Sequence, residues 1–228
     1  MDFPGLPDRL AAVRDTIRRR QEVEGWKHPV RIVAVTKTHG AEVVRQAFAA
    51  GLRDVGENRV QEALPKQEAL PDVPLDWHLI GTLQRNKARQ AVGRFALIHS
   101  VDRDELAMEL NHRVGSGEPQ RVLIQVNCSG EPQKGGVAPD GLLSLLDRCQ
   151  RLERLEVAGL MTMSALTDDP KEQRRAFRQL RELRDGAERQ GHRLTELSMG
   201  MSGDFPIAVE EGATLVRLGT ILFGERHS

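Results

Sequence analysis

The chain has 228 residues, which suits one ordinary domain or one α/β barrel of about 250 residues and leaves little room for two domains. Hydrophobic residues make up 39% and charged residues 29%, a mixture that predicts a globular protein and excludes the disordered, fibrous and membrane classes. Lys+Arg and Asp+Glu both total 33, so the net charge is +0. The basic excess typical of nucleic-acid-binding proteins is missing, and no nucleic-acid partner is expected.

Cysteine usage and the amino-terminal segment predict where the protein works. The two cysteines, Cys128 and Cys149, are too few for a disulfide framework, and no spacing of cysteine and histidine predicts a metal site. The amino-terminal segment has no apolar core of the signal-peptide type, and no run of about 18 apolar residues occurs in the chain. We therefore expect a cytoplasmic protein with reduced thiols, no bound metal and no membrane span.

The predicted elements alternate between apolar runs of strand length and stretches with helical spacing. A helix over residues 7–24 comes first. The eight predicted strands that follow cover residues 30–37, 54–56, 77–81, 96–101, 121–127, 157–162, 196–201 and 215–219. This pattern predicts α/β architecture, a single (β/α)8 TIM-type barrel with an extra N-terminal helix and one domain over residues 1–228. Because the second strand is short, a doubly wound open sheet is the alternative.

The first predicted strand ends in a lysine. In RIVAVTKTHG, Lys37 follows an apolar run directly, and it is the only one of the six lysines so placed. The active face of such a barrel is built at the carboxyl ends of its strands, where partial shielding from water favours the neutral amine that attacks a carbonyl. The alternative is a surface lysine whose stem covers the barrel rim.

Small and hydroxyl-bearing residues follow the seventh and eighth predicted strands. The segments LSMGMSGD and VRLGTILFG place Ser202, Gly203, Gly219 and Thr220 there. Glycines let backbone N–H groups approach an anion closely and hydroxyls add donors, although glycines at tight turns would give the same pattern. A phosphate site and a reactive lysine at one barrel mouth are the two contacts that pyridoxal 5′-phosphate (PLP) requires.

Eight motifs, in one order, carry a resemblance to a known family. They are AVTK at 34–37, GENRVQE at 56–62, WHLIGTLQRNK at 77–87, HSVD at 99–102, VNCSGEPQKGGV at 126–137, GLMTM at 159–163, LSMGMSGDF at 197–205 and VRLGTILFGER at 216–226. Almost end to end, the chain resembles the pyridoxal phosphate homeostasis proteins, single-domain relatives of the N-terminal barrel of bacterial alanine racemase. One departure is Arg59, which follows GEN where the family often has a tyrosine, so no aromatic contact is expected from that position.

The resemblance implies a set of residues around the cofactor. They are Lys37, Asn58, His78, Ser202, Arg217, Gly219 and Thr220. Lys37 would form the internal aldimine with PLP, so that the cofactor is covalently bound. Ser202, Gly219 and Thr220 would hold its phosphate.

Asn58 and His78 would face the pocket near the cofactor ring, and Arg217 would face the pyridine nitrogen. A permanent cation there opposes protonation of the ring nitrogen and weakens the ring as an electron sink. From the residues alone, His78 fits a hydrogen-bonded structural histidine equally well. Arg217 also fits a strand-end arginine paired to a carboxylate.

Binding without efficient turnover is the function that the resemblance implies. Alanine racemases use a lysine and a tyrosine from the second domain of a partner subunit, whereas this chain has no tyrosine and ends nine residues after Gly219. We therefore expect a monomeric PLP carrier in vitamin B6 homeostasis, with no catalytic residues, which keeps the free aldehyde low or passes it to apo-enzymes.

Three alternatives to the carrier stay open. One is a small racemase in which a histidine or cysteine is the second acid/base group, and another is a Schiff-base aldolase acting on a sugar phosphate. The third is an interaction protein that uses the arginine-rich helix at 172–190. The loop within QVNCSGEPQKGGV, at 125–137, would form a lid or a partner surface, or be a plain solvated loop.

Overall fold

Eight parallel strands form a closed barrel in the computed structural model, which describes residues 3–224. Each strand pairs with the next along the chain, and β8 pairs with β1 to close the barrel. The strands are β1 (Arg31–Val35), β2 (Asp54–Glu57), β3 (Asp76–Leu79), β4 (Leu97–Val101), β5 (Gln120–Gln125), β6 (Leu155–Met161), β7 (Glu196–Ser198) and β8 (Leu215–Leu218). The predicted barrel is confirmed, and the open sheet is excluded.

Nine α-helices occur within residues 3–224, and most of them cover the outside of the barrel. They are α1 (Leu6–Glu24), α2 (Ala41–Ala49), α3 (Val60–Glu68), α4 (Ala88–Ala91), α5 (Asp104–Arg113), α6 (Leu142–Cys149), α7 (Pro170–Glu188), α8 (Phe205–Glu210) and α9 (Thr220–Phe223). Short 3₁₀ turns lie at Arg85–Lys87, Pro132–Lys134 and Pro139–Gly141. No helix in this described part of the chain is long and apolar enough to cross a membrane.

The extra N-terminal helix α1 lies where the sequence predicts it. Its buried residues recur every three or four positions, as one packed face of a helix requires; they are Leu6, Leu10, Val13 and Ile17. The helix ends at Gly25, whose φ of 76° is the left-handed conformation that glycine adopts without strain. This helix packs on α8 and α9, the two short helices that follow the seventh and eighth strands.

Six predicted strands run one to three residues beyond the carboxyl end of the strands in the structure. Residues 36–37 leave β1 in a turn, and residues 199–201 leave β7 in an irregular segment. These residues lie at the barrel mouth, where the backbone turns away from the sheet towards a helix. The sequence predicts strand there because buried residues such as Thr36, Met199 and Gly200 continue past the last ladder pair.

Candidate functional site

A cavity of about 490 Å³ lies at the carboxyl ends of the strands. Its lining includes six of the seven residues that the sequence placed at the site: Lys37, Asn58, Ser202, Arg217, Gly219 and Thr220. Apolar side chains complete the walls, among them Ile80, Met163 and Met201. A larger cavity of about 610 Å³ lies at the opposite end of the barrel beside α1, away from the face where barrels of this kind carry their sites.

Lys37 lies in a tight turn that directly follows β1. The N–H of His39 donates to the carbonyl of Thr36 at 3.1 Å and closes the turn. Thr38 has a φ of 69° and is the only non-glycine residue between positions 3 and 224 with a positive φ. Such a conformation costs a β-branched residue about 1–2 kcal/mol. Lys37 is half-buried and lines the cavity, next to the strained residue Thr38.

An ion pair behind the barrel wall holds this turn from outside. Lys66 Nζ donates to Glu57 Oε1 at 2.6 Å and to the carbonyl of Thr36 at 2.9 Å. The Thr36 hydroxyl donates to the same carboxylate oxygen at 2.5 Å. Burial raises the pKa of Glu57, and the hydrogen bonds from Lys66 and Thr36 oppose that rise. We call Thr36, Glu57 and Lys66 the lysine brace, because it fixes the residue next to Lys37.

The segment after β7 and the segment after β8 meet at Ser202. Its Oγ accepts hydrogen bonds from the N–H groups of Gly219 and Ile221, each at 3.3 Å. Within the described residues, the N–H groups of Ser202, Gly203 and Thr220 have no protein acceptor. All three residues line the cavity, and free N–H groups beside a cavity are donors suited to an anion. We call Ser202, Gly203, Gly219 and Thr220 the anion cradle.

Gly219 lines the cavity, and its N–H donates to Ser202 Oγ. This hydrogen bond connects the two segments. The Asp204 carboxylate supports the cradle through two hydrogen bonds. Its Oδ1 accepts from the N–H of Met201 at 2.6 Å, and its Oδ2 accepts from the hydroxyl of Ser164 at 2.5 Å. Asp204 is buried, and sequence reasoning did not single it out as a support of the site.

Arg217 ends the polar lining on the side of β8. Its Nη1 donates to Ser198 Oγ at 2.7 Å and its Nη2 donates to the carbonyl of Thr162 at 2.9 Å. Two of its five N–H donors are thereby used, and the rest are available at the cavity. Burial lowers the pKa of Arg217 to about 10, which keeps the guanidinium charged at neutral pH. No ion pair within residues 3–224 includes Arg217, so the carboxylate-paired alternative does not describe it.

Asn58 follows β2 at the cavity and depends on a close backbone contact. A Cβ atom on Gly81 would lie 2.3 Å from the carbonyl oxygen of Asn58, a distance that no side chain tolerates. Gly81 therefore lets the segment after β3 pack directly on Asn58. Both residues line the cavity.

The structure places His78 elsewhere, in the barrel interior beneath the cavity. Its ring is 1% exposed, with Nε2 at 2.9 Å from Asp54 Oδ1 and Nδ1 at 2.8 Å from His99 Nε2. Both ring nitrogens are therefore occupied by protein partners, and the cavity lining does not include His78. Of its two interpretations, the hydrogen-bonded structural histidine describes this placement.

The remaining candidates lie around the cavity without reactive geometry. Burial raises the pKa of the Cys128 and Cys149 thiols to about 11, so neither is a nucleophile at neutral pH. The loop at 127–136 is tied down, because Gln125 Nε2 donates to the carbonyl of Lys134 at 2.8 Å and Lys134 Nζ donates to the carbonyl of Ser164. Gln125 lines the cavity, which connects this loop to the site. The described residues contain no group of three or more side chains arranged to hold a metal ion.

Comparisons with known proteins agree with this geometry. The family model described as alanine racemase, N-terminal domain, matches residues 9–227. A pyridoxal phosphate homeostasis protein of Aquifex aeolicus is 46% identical over 222 residues, which cover 96% of this chain and 97% of that protein. The structure of PipY from Synechococcus elongatus with PLP bound has a TM-score of 0.85 and 41% identity, and covers 96% of this chain and 100% of that one. An alanine racemase of Corynebacterium glutamicum has a TM-score of 0.73 at 18% identity over 96% of this chain and 62% of that one, which is a likeness of fold alone.

Together, the barrel and its mouth define a class: an α/β-barrel protein that presents one amine and an anion cradle in the same cavity. The chain belongs to the family of pyridoxal phosphate homeostasis proteins, which lies within the wider family of alanine racemase N-terminal domains.

Proposed function

We propose that the chain binds PLP in the mouth cavity, holds it covalently through Lys37 and serves intracellular PLP homeostasis without efficient turnover. One observation carries the proposal: Lys37 and the anion cradle line the same cavity of about 490 Å³. PLP bears an aldehyde and a phosphate, and these are the groups that an amine and a set of free N–H donors recognise.

The donor set fits the cofactor. Lys37 supplies the only lysine amine of the lining, and the free N–H groups of Ser202, Gly203 and Thr220 supply neutral donors for a phosphate. The apolar side chains of Ile80 and Met163 suit the faces of a flat ring. When bound, PLP supplies a reactive aldehyde and a ring that withdraws electrons from attached groups.

Arg217 favours binding of PLP over catalysis that uses it. A buried guanidinium whose pKa stays near 10 presents N–H donors and a positive charge to any ring atom that approaches it. This charge opposes a proton on a ring nitrogen and so weakens the electron withdrawal on which racemisation depends. The candidates for a second acid/base group are also unsuited, since the Cys128 thiol is protonated and His78 lies beneath the cavity.

The test is the visible absorption spectrum of the protein mixed with PLP, before and after borohydride, with the modified peptide located by mass. We expect a visible band that borohydride removes and a fixed adduct on Lys37. Lys37→Ala should lose the adduct, while Lys27→Ala should keep it, because Lys27 is exposed at the opposite end of the barrel. Protein that takes up no PLP, or an adduct that survives in Lys37→Ala, would contradict the proposal.

Release to other proteins extends the same proposal. The cavity is open and Lys37 is half-buried, so water and a competing amine can reach the attachment point. We propose that the protein, as a cytoplasmic monomer, passes PLP to apo-enzymes. Sedimentation gives the mass of the loaded protein. Recovery of activity by an apo-enzyme should be faster with loaded protein than with the same concentration of PLP mixed with Lys37→Ala, which forms no adduct.

A further inference from the structure

A column of polar side chains runs through the barrel interior to the cavity. Barrel interiors of this type are usually filled by branched apolar side chains. Here Asp54 Oδ1 lies 2.9 Å from His78 Nε2, and His78 Nδ1 lies 2.8 Å from His99 Nε2. His99 Nδ1 lies 2.9 Å from Ser198 Oγ, which is 2.7 Å from Arg217 Nη1. We call these five buried residues the polar column.

The direction of its hydrogen bonds follows from the partners of Ser198. Its hydroxyl has two partners within residues 3–224, His99 and Arg217. The guanidinium can only donate. If His99 Nδ1 also donated, the hydroxyl proton would be buried with no acceptor, at a cost of about 1–3 kcal/mol. Ser198 therefore donates to His99.

The same reasoning passes along the two histidines. A His99 ring that accepts at Nδ1 is neutral and donates through Nε2 to His78 Nδ1. His78, which then accepts at Nδ1, is neutral too and donates through Nε2 to the carboxylate of Asp54. Burial lowers the pKa of His99 well below its usual range, and the positive charges of Arg217 and Arg31 lower it further. Every proton in the column thus points from Arg217 towards Asp54.

An ion pair closes the far end of the column. Arg31 Nη1 donates to Asp54 Oδ1 at 2.9 Å, and Arg31 Nη2 donates to Glu196 Oε1 at 2.8 Å. Arg31 and His78 both contact Asp54 Oδ1, so Asp54 accepts hydrogen bonds at this end of the column. This sets the direction of the other hydrogen bonds in the column.

We propose that this one-directional chain of hydrogen bonds, from Asp54 to Ser198, positions the Arg217 guanidinium for the ligand of the mouth cavity. The inference rests on the proposed function, because PLP is that ligand. Ser198 offers Arg217 a lone pair and no proton, so it accepts one Nη1 hydrogen, while the Thr162 carbonyl accepts from Nη2. Two fixed acceptors set the plane of the guanidinium, and its unused donors stay directed at the cavity. His78, His99 and Ser198 are positioning residues that do not touch the ligand.

The first test uses the free protein and needs no ligand. Nitrogen-15 NMR of histidine-labelled protein separates the two neutral tautomers from the imidazolium. At neutral pH we expect His78 and His99 to be neutral, each with its proton on Nε2, and His78→Gln and His99→Gln to assign the signals. A proton on Nδ1 of either ring, or an imidazolium, would overturn the inference.

The second test compares two variants at one position. His99→Gln keeps an acceptor and a donor at similar separation, whereas His99→Leu has neither. We expect His99→Leu to bind PLP about tenfold more weakly, as the loss of one charge-assisted hydrogen bond implies, and to move the absorption maximum of the bound ligand. His99→Gln should stay within about threefold of the wild type and keep its maximum.

A third variant guards against misfolding. Should His99→Leu fail to fold, Ser198→Ala removes a single oxygen from the column and should give the same spectral change with about fivefold weaker binding. Equal affinities and unchanged spectra in folded His99→Leu or Ser198→Ala would sink the inference. A wild-type protein that binds no PLP would instead contradict the proposed function, and the NMR result would then decide the proton direction alone.

Discussion

The two walls of the cavity are built in different ways. On the lysine wall, one flexible side chain projects from a backbone turn that is fixed by Thr36 and strained at Thr38. On the wall of the anion cradle, the donors are backbone groups, and the side chains of Ser202 and Asp204 serve to hold them in place. A reactive amine needs freedom to reach a carbon atom, whereas a set of N–H donors works only when its spacing is fixed.

The supports of the two walls also differ in chemistry. The lysine brace relies on a buried ion pair outside the barrel, between Glu57 and Lys66. The cradle relies on neutral and charge-assisted hydrogen bonds around Asp204. A substitution in the lysine brace should therefore lower the stability of the fold more than a substitution around the cradle. A buried charge that loses its partner is destabilising by several kcal/mol.

Removing the cation of the lysine brace should have the largest effect. Lys66→Met leaves the wholly buried Glu57 carboxylate without its counter-ion, and we expect the free energy of unfolding to fall by about 3 kcal/mol, as measured with urea. The double variant Glu57→Met with Lys66→Met removes both charges and should recover more than half of that loss. A loss in the double variant as large as in Lys66→Met would show that the ion pair is not what holds the turn.

Removing the support of the cradle should cost less stability and change ligand preference. Asp204→Ala deletes two buried acceptor contacts, and we expect a loss of about 2 kcal/mol in the free energy of unfolding. The preference for PLP over pyridoxal, which lacks the phosphate, should fall about tenfold, as measured by titration. Asp204→Asn still accepts from Met201 and should keep most of the preference. An unchanged preference in Asp204→Ala would separate the cradle from phosphate recognition.

Behind the cradle, Glu211 ties the end of α8 to helix α7, and its contribution should depend on pH. Burial raises its pKa, but hydrogen bonds from Arg178, Arg174 and Arg181 outweigh burial, and its pKa lies below the usual range. A lowered native pKa adds stability above the pKa of the unfolded chain, and this stability is lost as pH falls through the native pKa.

Glu211→Gln should therefore lose about 1–2 kcal/mol at pH 7, a value reduced by the partial exposure of the arginines. The difference from the wild type should shrink steadily as urea unfolding is repeated at lower pH, below the usual glutamate pKa. A difference that is constant with pH would mean that the charge of Glu211 is not what stabilises α8.

The smallest effect is expected at the strained turn. Thr38→Gly accommodates a φ of 69° without strain, and after the entropy cost of glycine we expect a gain of about 0.5 kcal/mol in the free energy of unfolding. Thr38→Ala keeps a Cβ atom and should show no gain. Equal stabilities of the Gly and Ala variants would mean that the turn stores no strain.

The barrel was predictable from the sequence because several strands are covered on both faces and read as continuous apolar runs, such as residues 32–35 in β1. The predicted strand over residues 196–201 overshot at the mouth because Met199 and Gly200 stay buried where the hydrogen-bonded ladder stops. Lys37 and Ser202 line the cavity, since a polar residue shortly after a parallel strand lies at the mouth by topology.

The supports of the site could not be predicted in the same way. Lys66 lies in the middle of helix α3 and reads as a solvated helix residue, and only the closed barrel brings it to Glu57. One signal was present, because a glutamate at the end of a buried strand needs a partner. His78 was expected near the cavity and lies beneath it. The alternation of side chains along β3 predicts that His78 points into the barrel, but it does not predict how far below the mouth the ring lies.

The reactivity of the two buried thiols can be used to measure unfolding of the chain. Cys128 and Cys149 are the only cysteines, and both are buried with a pKa of about 11. A thiol reagent should therefore find no reactive group in the folded protein and two in the unfolded chain. The labelling rate measures the fraction of molecules that open, independently of any bound chromophore. It also means that oxidants should spare the folded protein and that, within the barrel, an aldehyde at the mouth meets no competing thiolate.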